Sequence, residues 1–73
     1  MNFKEATDNL FDGVDQPALA NEIGVSVASI RQARLNPQAK AYRNPPQNWE
    51  RSLIRIAERE IMRYRKLIEE LRD

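Results

Sequence analysis

The sequence predicts an all-α domain of about four helices, with a helix-turn-helix at its centre and a long C-terminal helix. Three observations predict it. In residues 17–35 two short apolar stripes at helical spacing are broken by a single glycine, Gly24. Side chains suited to helix caps precede each stripe. From Trp49 to Leu71 apolar residues recur at helical spacing for about 23 residues with no internal breaker.

The first helix opens on Asn2 and Glu5, an N-x-x-E capping pair. Phe3, Thr7, Leu10 and Phe11 share one face, and Phe3, Leu10 and Phe11 are core candidates. Asp12-Gly13 is the expected end, by the C-terminal glycine signal. Val14 and Asp15 connect to a second helix capped by Asp15 or Gln16. Pro17 stands in its first turn, where a missing N–H leaves no bond unmade. Leu19, Ala20 and Ile23 form its apolar face. Gly24 can take the positive φ that ends a helix in a sharp bend. Val25 adds a buried anchor.

Ser26 is suited to cap a third helix, expected from about Val27 to Leu35 and stopped by Asn36-Pro37. Ile30 and Ala33 continue the buried face, leaving Val27, Ala28, Arg31, Gln32 and Arg34 outward. Residues 36–47 read as a basic, proline-rich loop carrying Lys40, Tyr42 and Arg43; packing on the core is the favoured role of Tyr42. The last helix runs from about Trp49 to Leu71 with Asn48 as cap, and Glu50 suits its N-terminal dipole. Residues 1–48 thus form the helix-turn-helix core and residues 49–73 a helix for core closure and dimerisation.

The apolar pattern of that last helix changes along its length. Trp49, Leu53, Ile56 and Ala57 make a broad face that can close a small core. Ile54, Ala57, Ile61, Tyr64, Ile68 and Leu71 follow at spacings of 3, 4, 3, 4 and 3, a heptad seam. Such a helix is about 34 Å long at 1.5 Å per residue, more than three short helices can cover. The distal residues Ile61, Tyr64, Leu67, Ile68 and Leu71 therefore need a partner. A second copy of the same helix is the simplest; the alternative is that the helix folds back on its own domain. Arg51, Arg55, Arg59 and Arg63 form an i, i+4 row whose like charges repel by a few tenths of a kcal/mol per pair. The row is either solvated or neutralised by phosphates, with Glu58 and Glu60 nearby. Arg65 with Glu69 and Lys66 with Glu70 read as surface support.

Composition excludes several classes. A 73-residue chain is one small domain, marginal alone, and oligomerisation is a usual remedy. There is no Cys and no His, hence no disulfide, no thiolate or imidazole metal ligand, and no Ser-His nucleophile at Ser26, Ser29 or Ser52. The acidic residues lack calcium-loop spacing. Neither an enzyme, a metal site nor a cofactor is expected. No segment has the eighteen or so apolar residues of a membrane span, and MNFKEATDNLF does not read as a secretory signal. The expected location is the bacterial cytoplasm or nucleoid.

The net charge of +1 hides an asymmetry. Residues 1–30 hold one Lys and five acids, a net −4, whereas residues 31–66 hold ten Lys or Arg and three Glu, a net +7. The last seven residues are net −2. The basic block begins inside the third helix, where a phosphate-contacting surface needs positive charge; the alternative is a merely solvated basic face.

An apolar inner face, the small Ala20 where two helices cross, and a polar outer face describe a helix-turn-helix of the kind that reads a DNA major groove. The pattern LANEIGVS...I resembles the helix-turn-helix of lambda-repressor-like and Cro-like regulators. The matching residues are Gln16, Leu19, Ala20, Ile23, Gly24, Val25, Ser26 and Ile30, within about twenty of the 73 residues. The resemblance implies a phosphate contact for Gln16, which also braces a recognition-helix side chain; with Pro17 immediately after it, a plain cap is the alternative.

The expectation is a sequence-specific, double-stranded-DNA-binding regulator. It is of the small phage or mobile-element autorepressor type and acts as a homodimer on an inverted repeat, with no small-molecule ligand. Val27, Ala28, Arg31 and Gln32 are the candidate base-contacting residues; Gln16, Arg34, Lys40 and Arg43 are the candidate phosphate contacts. The rivals are a helical protein-binding module, such as a phage adaptor or an antitoxin, and a structural oligomer built through residues 49–71.

Overall fold

The computed structural model describes residues 1–10 and 15–73, and all regular structure among them is helical. The elements are α1 (Phe3–Asn9), α2 (Gln16–Ile23), α3 (Val27–Ala33) and α4 (Trp49–Arg72). The all-α architecture with a long C-terminal helix is as the sequence predicts.

Asn2 caps α1: its Oδ1 accepts the Glu5 backbone N–H at 2.8 Å. The helix ends at Asn9, earlier than the Asp12-Gly13 signal suggested. Leu10 turns to an extended conformation, with its N–H bonded to the Thr7 carbonyl at 3.3 Å. Phe11, Asp12, Gly13 and Val14 lie outside the described residues. Asp15 occupies the N-cap of α2 without a side-chain cap bond, and Pro17 falls in the first turn.

Gly24 ends α2 in the left-handed region at φ +85°. The N–H groups of Gly24 and Val25 both bond the Ala20 carbonyl, at 2.9 and 3.0 Å. This is a Schellman-type closure that needs a residue tolerant of positive φ. Ser26 then caps α3, its hydroxyl accepting the Ser29 N–H at 3.1 Å.

The third helix stops at Ala33, two residues before the expected Leu35. The chain tightens there: Arg34 N–H reaches both the Ile30 and Arg31 carbonyls, and Leu35 N–H the Gln32 carbonyl. The Gln32 carbonyl also accepts the Arg43 N–H from the following loop. Asn48 is the N-cap residue of α4, as expected, at φ 61°, but its side chain makes no cap hydrogen bond. Its carbonyl accepts the Ser52 N–H instead, at 3.4 Å.

The core is small. Phe3 and Leu10 meet Leu19, Ala20, Ile30 and Ala33, and Leu53 and Ile56 of α4 close them over. Ile23, Val25, Trp49 and Ala57 pack partly buried at its margin, so Val25 is a half-buried anchor. Phe3 meets Trp49 edge to face with ring centroids 5.2 Å apart. Burying a side chain such as Leu19 or Ile30 contributes about 1.5–3 kcal/mol. Thr7 is buried among these apolar residues, with its hydroxyl within bonding distance of the Phe3 and Lys4 carbonyls.

Beyond Ala57 the long helix leaves the core. Residues 61–73 are all exposed. The molecule measures 53 × 19 × 18 Å with a radius of gyration of 14.4 Å, against about 11 Å for a compact chain of this length.

Candidate nucleic-acid interface

The outer face of α3 is presented by two local devices, the Gly24 bend and the Ser26 cap. Ile30 and Ala33 anchor the helix from below, 0% and 3% exposed. The opposite side carries Val27, Ala28 and Arg31, all exposed. Gln32 is half-buried at the edge of this face. Among the described residues the Arg31 side chain enters no hydrogen bond or ion pair. Small side chains at the N-terminus of α3, with an arginine one turn on, can approach the floor of a groove closely.

Arg34 departs from the outward placement expected of it. Its side chain is 20% exposed and turns to α1. Nη1 donates to Thr7 Oγ1 at 2.8 Å and Nη2 to Asp8 Oδ1 at 2.5 Å. The guanidinium links the end of α3 to α1 rather than facing solvent. The cause is the position of Thr7, whose hydroxyl can donate to a carbonyl of its own helix and still accept from Arg34. Lys4 joins Asp8 from the other side at 2.9 Å. The Lys4 ammonium and the Arg34 guanidinium hold the Asp8 carboxyl below its ordinary value, against an opposing desolvation.

The loop after α3 is ordered by its own turns. Ala39 N–H bonds the Asn36 carbonyl and Tyr42 N–H the Ala39 carbonyl, at 2.8 and 3.1 Å, and Asn36 Oδ1 accepts from Gln38 N–H at 2.9 Å. Lys40 and Arg43 are exposed. Arg43 Nη1 donates to the Tyr42 carbonyl at 2.8 Å and the Lys40 carbonyl at 3.3 Å, which holds its guanidinium against the loop. Tyr42 is half-buried, lining a small cleft with Phe3, Ala33 and Trp49. Gln16 is half-buried at the first position of α2.

The arginine row of α4 is not uniform. Arg59 pairs with Glu22 of α2 at 2.5 Å, a link between elements that the i, i+4 pattern did not suggest. Arg63 pairs with Glu60 and lies over the Tyr64 ring, 5.3 Å from its centroid. Among the described residues the ion pairs do not include Arg65 with Glu69 or Lys66 with Glu70.

The seam residues Ile61, Tyr64, Leu67, Ile68 and Leu71 are between 46% and 76% exposed, and Ile54 is 57% exposed. At its proximal end the seam runs into an open groove of about 360 Å³ between α1 and α4. Met1, Leu10, Trp49, Leu53, Ile54 and Ala57 line it. Leu10 and Trp49, core candidates by their sequence positions, also line this groove, which exists only once α1 packs beside α4 and so leaves no signal in the periodicity of either helix. Among the described residues no group of three or more acidic side chains could hold a metal ion. No helix there is long and apolar enough to cross a membrane.

No protein-family profile matches the chain, and comparison with curated proteins and with solved structures finds no match.

Proposed function

We propose that this chain is a sequence-specific DNA-binding regulator of the small phage or mobile-element repressor type. It acts as a homodimer on an inverted repeat, in the bacterial cytoplasm or nucleoid. The observation that carries the reading is the bare outer face of α3. Val27, Ala28 and Arg31 stand exposed on a helix fixed from behind by Ile30 and Ala33 and at its start by Ser26.

In this reading α3 enters the major groove. Arg31 reads guanine and Gln32 adenine, while Val27 and Ala28 touch thymine methyl groups. Lys40 and Arg43 meet phosphates from the loop, and Gln16 meets one at the start of α2. Arg34 positions α3 against α1. Repression by occlusion of a promoter is the mode proposed.

One recognition helix reads only a few base pairs, and a two-fold dimer supplies the second. The exposed seam of α4 supports dimerisation. Taken without the α3 face, that seam favours the rival reading, a helical protein-binding module or structural oligomer. Salt-dependent binding to random duplex DNA separates them: a regulator loses affinity steeply as salt rises, and a structural oligomer does not bind.

A further inference from the structure

We infer that the groove between α1 and α4 receives the tip of α4 from a second copy of this chain, so that the two long helices pair antiparallel. The inference rests on the proposed dimer and assigns its orientation.

The seam and the groove are one surface. Ile54 and Ala57 belong to both, and from them the apolar line continues through Ile61 and Tyr64 to Ile68 and Leu71. In an antiparallel pair centred between Ile61 and Tyr64, Ile54 opposes Leu71 of the second copy and Ala57 opposes its Ile68. The tip thus places two aliphatic side chains, Ile68 and Leu71, at an open, largely apolar groove of about 360 Å³. The small Ala57 meets a large partner, so the layers interdigitate.

A parallel pair sets Ala57 against Ala57 and leaves a void there. It also leaves the groove without an occupant, since Ile54 then faces another Ile54 while Ile68 and Leu71 lie far from α1. An ion pair is available either way, from Arg65 to Glu58 of the second copy when antiparallel or to Glu60 when parallel. The groove and Ala57 decide the orientation.

The exposed apolar surface is large for so small a chain: Ile54, Ile61, Tyr64, Leu67, Ile68 and Leu71 are 46% to 76% exposed, and pairing would bury part of it toward the roughly 800 Å² per partner of stable interfaces. The arrangement places the two heads at opposite ends of the helix pair. Their centres on α4, near Leu53, are about 28 Å apart along the seam at 1.5 Å per residue, close to the pitch of one DNA turn, about 34 Å.

The chain has no cysteine, so engineered thiols report the orientation cleanly. Ala57→Cys and Ile68→Cys are made separately, mixed, refolded together and oxidised. Antiparallel pairing predicts disulfide-linked dimers from the mixture and none from either variant alone. Identical positions are then about 16 Å apart along the axis, beyond the 4.4–6.8 Å usual between disulfide Cα atoms. Ile54→Cys with Leu71→Cys gives a second, independent pair with the same expected pattern.

Cross-linking of each variant with itself means parallel pairing and overturns the inference. So does failure of both mixtures to cross-link while the unsubstituted protein sediments as a dimer. An unsubstituted protein that sediments as a monomer at the same concentration removes the dimer itself, and the orientation with it.

Discussion

Arg34, the residue immediately after α3, donates to Thr7 Oγ1 at 2.8 Å and to Asp8 Oδ1 at 2.5 Å, both on α1. The two bonds cross 27 and 26 residues of chain and fix the C-terminal end of the candidate recognition helix against the first helix. A residue expected to face outward thereby ties the end of α3 to α1.

Arg34→Ala should cost about 1 kcal/mol, the scale of a partly exposed hydrogen bond from a charged donor. For a domain of this size that lowers the unfolding midpoint by about 4–8 °C. The salt dependence of DNA binding should keep its slope, because no phosphate contact is removed. Thermal unfolding followed by circular dichroism checks the first outcome and a salt titration the second. An unchanged midpoint with a shallower salt slope would return Arg34 to the phosphate surface.

Asp8 makes this brace pH-dependent in one direction. Its carboxyl titrates below its ordinary value of 3.8 because of Lys4 and Arg34. A depressed carboxylate stabilises the fold above its unfolded pKa, and that contribution disappears as pH falls through the folded value. Asp8→Asn should therefore be less stable than the unsubstituted protein at pH 7. The difference should narrow as pH falls below the ordinary carboxylate range and through the lower, folded value. Urea unfolding of both proteins at pH 7 and at low pH measures this. A gap that persists undiminished in acid would show that Asp8 acts through something other than its charge.

Gly24→Ala tests the turn. No atom lies within 4 Å of the position a Cβ would occupy, so space is not the obstacle. The cost is the φ of +85° alone, about 1–2 kcal/mol for an L-residue. Gly24→Asn should be milder, since Asn tolerates this region better. Denaturant unfolding orders the three proteins, with Gly above Asn above Ala in stability. Equal stability of all three would mean that the turn takes another backbone conformation.

These positions also show what was legible in the sequence and why. The Gly24 bend and the Ser26 and Asn2 caps are local chemistry, decided by residues three or four apart, and each forms as expected. Ile30, Ala33, Leu53 and Ile56 follow from helical periodicity. The end of α3 does not, because the Gln32 carbonyl takes a bond from Arg43, eleven residues on. The same holds for Arg34, whose partners belong to α1, and for Arg59, whose partner Glu22 is on α2. The groove at Leu10 and Ile54 needs two helices side by side, which no periodicity within one helix encodes.

Arg31 and the loop cations should separate by their effect on binding. Arg31→Ala should remove about 1–3 kcal/mol of discrimination at one base pair while leaving the melting midpoint unchanged. Lys40→Ala with Arg43→Ala should weaken binding to all sequences alike and lower the salt slope by about one per contact. Competition binding between cognate and random duplexes distinguishes the two. Full sequence preference in Arg31→Ala would mean that the groove-facing surface is assigned wrongly.

Ile68→Asp should abolish the dimer. The side chain lies on the exposed seam and outside the core of its own chain, so the monomer should keep its helical head. Sedimentation should give a dimer of the unsubstituted 8.5 kDa chain at micromolar concentration and a monomer of the variant. DNA binding by the variant should fall by more than tenfold, since it loses a second half-site. A variant that still sediments as a dimer would place the interface elsewhere.

Selection of bound sequences from a random duplex pool tests the central claim most directly, that α3 reads DNA as one half of a symmetric pair. Enrichment of an inverted repeat with half-sites about 10 base pairs apart is expected, and Arg31→Ala in the same selection should lose the preference at one base pair of each half-site. A pool that emerges without any enriched sequence, at salt low enough for basic proteins to bind DNA, would contradict it.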